Sequence, residues 1–96
     1  MNIPKKITYM GVTWTINLKM PKDEAWGETI FNDNEINIRP DLSVQNREAS
    51  FIHELLHVIT WGSGIDRIMR SDLEEKVVNS LAAGIYDLYK KGIFKS

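Results

Sequence analysis

Residues 51–61 read Phe51-Ile52-His53-Glu54-Leu55-Leu56-His57-Val58-Ile59-Thr60-Trp61. Phe51, Leu55, Val58 and Ile59 fall at i, i+4, i+7 and i+8, with Ile52 and Leu56 beside them, which is the apolar stripe of a helix. Worked outward, the helix spans about residues 43–61, and Gly62 and Gly64 can end it. A second helical pattern covers about residues 72–91, with Val77, Val78, Leu81, Ile85 and Leu88 as its expected packing stripe. Ser71 and Glu74 have the spacing of a capping box at its start, and Lys90, Lys91 and Gly92 suit its end. Residues 63–70 form the short loop between the two helices.

Upstream, the period changes from helical to two. Ile7 and Tyr9, then Trp14, Ile16 and Leu18, alternate on either side of Met10-Gly11, which predicts a hairpin. Pro21 and the run Lys22-Asp23-Glu24 interrupt it. Residues 28–32 and 35–39 flank Asp33-Asn34, a pair that tolerates the positive φ of a tight turn, with Ile36 and Ile38 on one face and Pro40 as the stop. The expected fold class is α+β: a small antiparallel sheet of three to four strands (residues 1–40) packed on two helices (residues 43–91). The whole of residues 1–96 is read as one minimal domain without an added substrate-recognition domain.

Composition narrows the function classes. Hydrophobic residues make up 43% and charged residues 26%, at a formal net charge of -1. No Lys/Arg block forms a phosphate-tracking stripe, so nucleic acid is a poor partner. The absence of cysteine removes disulfides, thiolate zinc sites and thiol nucleophiles, and it suits a reducing cytoplasm. The N-terminal residues alternate and form no apolar run, so no signal peptide is expected, and no stretch approaches the roughly 20 apolar residues of a membrane span.

His53-Glu54-Leu55-Leu56-His57 is an H-E-x-x-H pattern inside the first helix. Residues four apart lie on one helix face, so the two imidazoles can share one ion, Zn2+ by the chemistry of the pattern. Glu54 lies beside that face, where it can take a proton from an activated water. A lone histidine on an apolar face is ordinarily just packed, but these are the only two histidines of the chain and both stand at ligand spacing. Zinc in a catalytic site has three protein ligands. The metzincin pattern would need Gly at 60 and His at 63, where this chain has Thr60 and Ser63. The third ligand is therefore a carboxylate: Asp66, Asp72, Glu74 or Glu75. Glu75 is favoured, because it is in line with Val78, Asn79 and Ala82 on a small, partly polar face, whereas Glu74 has a place in the capping box. Asn79 could orient a ligand histidine, and Ala82 and Ala83 would let the helices approach closely.

The pairing of His53-Glu54-Leu55-Leu56-His57 with Glu75, Asn79 and Ala82 resembles the small gluzincin-type metallopeptidases of the ImmA/IrrE kind, including short phage-encoded members. In that family an H-E-x-x-H helix is completed by a glutamate on the next helix, commonly as E-x-x-x-N-x-x-A. The likeness covers residues 43–91, and it departs at Leu56, where the family often has glycine. It implies a phage or mobile-element setting and a protein substrate such as a repressor. The expected reaction is peptide hydrolysis, with Glu54 as general base and the strand at residues 35–39 as an exposed edge for an extended peptide. The alternatives are a metal-containing module that binds a regulator without turnover, and a metal-free helical interaction domain. Trp14, Trp26 and Trp61 read as core or rim aromatics, although Trp61, four residues after His57, could shield the metal. Tyr86 and Tyr89 could stabilise an oxyanion. Arg67 and Arg70 read as solvated loop charges that could bind a substrate carboxylate.

Overall fold

A computed structural model describes residues 1–94. Four strands, β1 (Lys6–Tyr9), β2 (Val12–Leu18), β3 (Gly27–Ile30) and β4 (Glu35–Ile38), precede two long helices, α1 (Val44–Ser63) and α2 (Ser71–Lys90). The α+β class and the two helices are those expected from the sequence, and the four strands fall within the expected three to four. Met10 and Gly11, at φ 51° and 81°, make the tight turn between β1 and β2, matching the twist of a two-residue hairpin. The β3–β4 connection is longer than Asp33-Asn34 suggests. Phe31–Asp33 forms a helical turn and Asn34, at φ 52°, returns the chain.

The sheet order is β1-β2-β4-β3, and β2 pairs with β4 in parallel, so the sheet is mixed and not the antiparallel sheet expected from the sequence. Hairpin turns dictate only the β1–β2 and β3–β4 directions. Residues 19–26 carry the chain past the next slot to the outer edge, and the second hairpin then brings β4 back beside β2. β4, expected as an exposed edge, is consequently internal, and the edge on that side is β3. Period-two alternation also places Asn37 on the solvent face, yet it is 1% exposed. It accepts from Asn17 Nδ2 at 3.1 Å and donates to Glu28 Oε2 at 2.9 Å, a polar ladder across β2, β4 and β3. Glu28 also accepts the Lys22 N–H of the crossing segment at 3.1 Å, so the buried amide is satisfied and the edge strand is held in register.

α1 lies between the sheet and α2. Ser43 caps it by accepting the Asn46 N–H at 3.1 Å, and Gly64 in the left-handed region ends it, so Gly62 lies inside the helix. One face, Phe51, Leu55 and Val58, packs on Trp14, Ile16, Ile36 and Ile38 of the sheet. Fully burying such a side chain contributes about 1.5–3 kcal/mol, which makes this cluster the main hydrophobic contribution to the fold. Another face, Ala49, Ile52 and Leu56, packs on Ala82, Ile85, Tyr86 and Tyr89 of α2. Trp61 stands edge-on to Trp14 with ring centroids 5.8 Å apart and lies tilted against Phe31, so it extends the sheet-side core instead of shielding the histidines.

α2 differs from its sequence reading in two ways. Its buried line is Val78, Ala82 and Tyr86, whereas Leu81 and Leu88 of the expected stripe are 52% and 43% exposed. Two apolar rows run along this helix. Small Ala82 permits close approach, and Tyr86 O–H donates to Glu48 Oε1 at 2.8 Å, so that row faces α1. The capping box does not form: Arg70 is the cap residue, no side chain caps the helix, and Ser71 is already helical. The helix starts one residue too early for the box, which leaves Glu74 free to turn elsewhere.

The Tyr86–Glu48 pair gives a testable consequence. Burial first, and then the hydrogen bond to Glu48, push the Tyr86 hydroxyl up to about 12 from 10.0. A folded-state pKa raised in this way stabilises the fold fully below pH ~10 and is lost as pH climbs through about 12. In an alkaline titration followed by tyrosinate absorbance, we expect a late step from Tyr86, as pH climbs through about 12, together with loss of structure. Tyr86→Phe should remove the late step. A wild-type titration without a late step that Tyr86→Phe removes would contradict this.

Candidate metal centre

The α1–α2 packing is antiparallel, as seen where Lys90 Nζ donates to Gln45 Oε1 at 3.1 Å and Tyr86 meets Glu48. That register carries the first turns of α2 to the middle of α1, opposite His53 and His57. The two Nε2 atoms lie 3.2 Å apart. Glu75 Oε1 is 3.2 Å from His53 Nε2, and Glu75 Oε2 is 3.5 Å from His57 Nε2. His53, His57 and Glu75 form a group that could hold a metal ion, each offering one ligand atom, all within 4.8 Å of one another. This is the triad favoured from the sequence.

Glu74 is not idle. Released from the capping role, its Oε2 lies 3.4 Å from His57 Nδ1, with only 18% of its side chain exposed. A carboxylate beside Nδ1 favours the tautomer with the proton there and leaves the Nε2 lone pair facing Glu75. Asn79, expected to orient a ligand histidine, is exposed and makes no hydrogen bond to either ring among the described residues. Asp72 is paired with Arg70 at 3.5 Å and Asp66 belongs to the helical turn Ile65–Arg67, so neither joins the group.

Around α1, Glu54 is one residue, and so about 100° of rotation, from His53, between the histidines and the sheet-facing row. It is 6% exposed. Thr29 Oγ1 of β3 donates to Glu54 Oε1 at 2.8 Å. Burial pushes the Glu54 carboxyl above the usual carboxylate range, and the Thr29 hydrogen bond partly opposes this. Gly27, two residues before Thr29 on the same strand face, gives the carboxylate room. A Cβ there would sit 2.5 Å from Ser50 Oγ, 3.1 Å from Glu54 Cγ and 3.2 Å from Glu54 Oε2. Gly27, Thr29 and Ser50 were not among the sequence candidates. Only a glycine opening a strand hints at a close approach, and only pairing shows to what.

A cleft of about 390 Å3 opens beside His53 and Glu54, bounded by Trp26, Gly27, Ala49, Asn79, Ala82 and Tyr86. Trp26 is 51% exposed at its rim. A second cavity, of about 700 Å3, is lined by the N-terminal segment, β2 and the first turns of α1 and shares no residue with the metal group. Tyr86, whose hydroxyl is occupied by Glu48, supplies a ring wall to the cleft and no free donor. No helix among the described residues is long and apolar enough to cross a membrane. Comparison with protein-family models, curated proteins and solved structures finds no significant match.

Proposed function

We propose that this protein hydrolyses peptide bonds with a zinc ion held by His53, His57 and Glu75. The observation that carries the reading is the juxtaposition of that group with a buried carboxylate, Glu54, that has no cationic salt-bridge partner among the described residues and lines a cleft. The donor set fits zinc. A tetrahedral ion with ligand distances near 2.1 Å keeps its ligand atoms about 3.4 Å apart; the two Nε2 atoms are 3.2 Å apart, one Glu75 oxygen lies 3.2 Å from His53 Nε2 and the other 3.5 Å from His57 Nε2. Bound there, zinc would supply Lewis-acid activation of a water and of the scissile carbonyl.

The chain's own residues do the rest. Glu54 accepts the proton of the attacking water and returns it to the leaving amine, a role helped by a carboxyl whose pKa lies nearer neutrality than usual. Glu74 holds the His57 ring in orientation. The free edge of β3, in place of residues 35–39, can align an extended peptide by strand addition next to Glu54. The resemblance to the ImmA/IrrE kind supports the same reading and suggests a protein substrate such as a repressor.

The test is incubation of the zinc-loaded full chain with a random-sequence peptide pool. New amine termini should appear, stop with a chelator and return with added zinc. Stoichiometric zinc without any cleavage would favour a metal-containing binding module instead.

A further inference from the structure

We infer that Thr29 is a positioning residue for Glu54: its hydroxyl, offered from the edge strand, holds the carboxylate in one orientation with Oε2 left for proton transfer. The inference rests on the hydrolytic reading above for its kinetic meaning and on geometry for its physical one.

Glu54 is a buried carboxylate with a single side-chain hydrogen-bond partner among the described residues, the Thr29 hydroxyl at 2.8 Å. A glutamate side chain has three rotatable bonds and many rotamers to lose on ordering, so an unheld base spends much of its time misplaced. Displacement of a reacting group by about 1 Å can cost roughly 100-fold in rate. Two features of β3 restrict the carboxylate. Thr29 binds Oε1, and the bare backbone at Gly27 accepts the Cγ–Oε2 side, where any side chain would collide with Glu54 or Ser50. Gly27 and Thr29 stand two apart and share the strand face toward α1, so the seat is built by one strand. β3 is held by the Asn17–Asn37–Glu28 ladder on the sheet and is open on its other edge. The strand that would receive a peptide is thus the strand that orients the base, and substrate alignment and base alignment share one rigid element.

Thr29→Val keeps the branched shape and removes the donor, and Thr29→Ser restores the donor. In the metal-free full chain, NMR side-chain couplings of Glu54 should report one rotamer in the wild type and in Thr29→Ser, and averaged rotamers in Thr29→Val. With zinc, on one peptide chosen from a random pool by wild-type cleavage, Thr29→Val should lower kcat about 10- to 100-fold, with KM and zinc affinity within about twofold. Thr29→Ser should recover most of the loss. A structural tie alone would lower thermal stability without this kcat-only pattern. If Val at 29 prevents folding, Thr29→Ala carries the same comparison. A single Glu54 rotamer in Thr29→Val, or wild-type kcat despite averaged rotamers, overturns the inference. Absence of turnover in the zinc-loaded wild type sinks the hydrolytic reading instead, and the rotamer measurement then decides by itself whether Thr29 orients Glu54.

Discussion

Replacing His53, His57 or Glu75 with alanine is expected to release zinc from the protein, whereas Glu74→Ala should retain it with affinity lowered about 10- to 100-fold. The wild type should carry about one ion per chain. Glu74 and Glu75 are neighbours in sequence, and helix rotation separates them by about 100°. The structure gives each a distinct place: Glu75 spans both Nε2 atoms, at 3.2 and 3.5 Å, while Glu74 stands behind His57 at Nδ1, 3.4 Å away. Losing Glu75 removes a donor from the group. Losing Glu74 frees the ring to rotate and weakens its preference for the useful tautomer, a smaller effect but not a negligible one. Because the helix start is capped by neither Ser71 nor Glu74, Glu74→Ala should leave helix stability nearly unchanged. Chelator competition on the four variants, with circular dichroism as a control for folding, measures all of this. Zinc retained by Glu75→Ala and released by Glu74→Ala would reverse the assignment.

Glu54→Gln should keep the zinc and lose hydrolysis, by about 100- to 10,000-fold, the range of general-base contributions. The amide fills the same buried space and can still accept from Thr29 Oγ1, so the fold and the seat on β3 should persist. What disappears is the ability to take up a proton. A neutral side chain also relieves the desolvation that pushes the Glu54 carboxyl up, so this variant should be at least as stable as the wild type. Activity lost and stability kept or gained is the signature of a functional group held against its folding preference. Turnover at the wild-type rate would show that another group is the base.

Much of this was legible without coordinates. Period-two alternation around Met10-Gly11 located the first hairpin, and the i, i+4, i+7 stripe of residues 51–59 located α1, because both are local patterns with local physical causes. His53, Glu54 and His57 could be read because helical spacing alone puts four-apart residues on one face. Glu75 was preferred by the character of its helix face, and the α1–α2 register places it in one group with the histidines. The capping box misassigned Glu74, since a one-residue shift in the helix start abolishes it.

By itself, then, the sequence determined the elements, the α+β class and the shared helix stretch of His53, Glu54 and His57, all properties that depend on neighbours within about one turn or one hairpin, and it named Glu75 from its helix face. Tertiary structure decided what depends on distant pairings. It chose which of two apolar rows of α2 meets α1, burying Val78, Ala82 and Tyr86 and leaving Leu81 and Leu88 outside. It placed β4 inside the sheet, parallel to β2, and so made β3 the open edge. And it brought Thr29 and Gly27 against Glu54 across 25 and 27 residues of chain, a contact between a strand and a helix that no local period encodes.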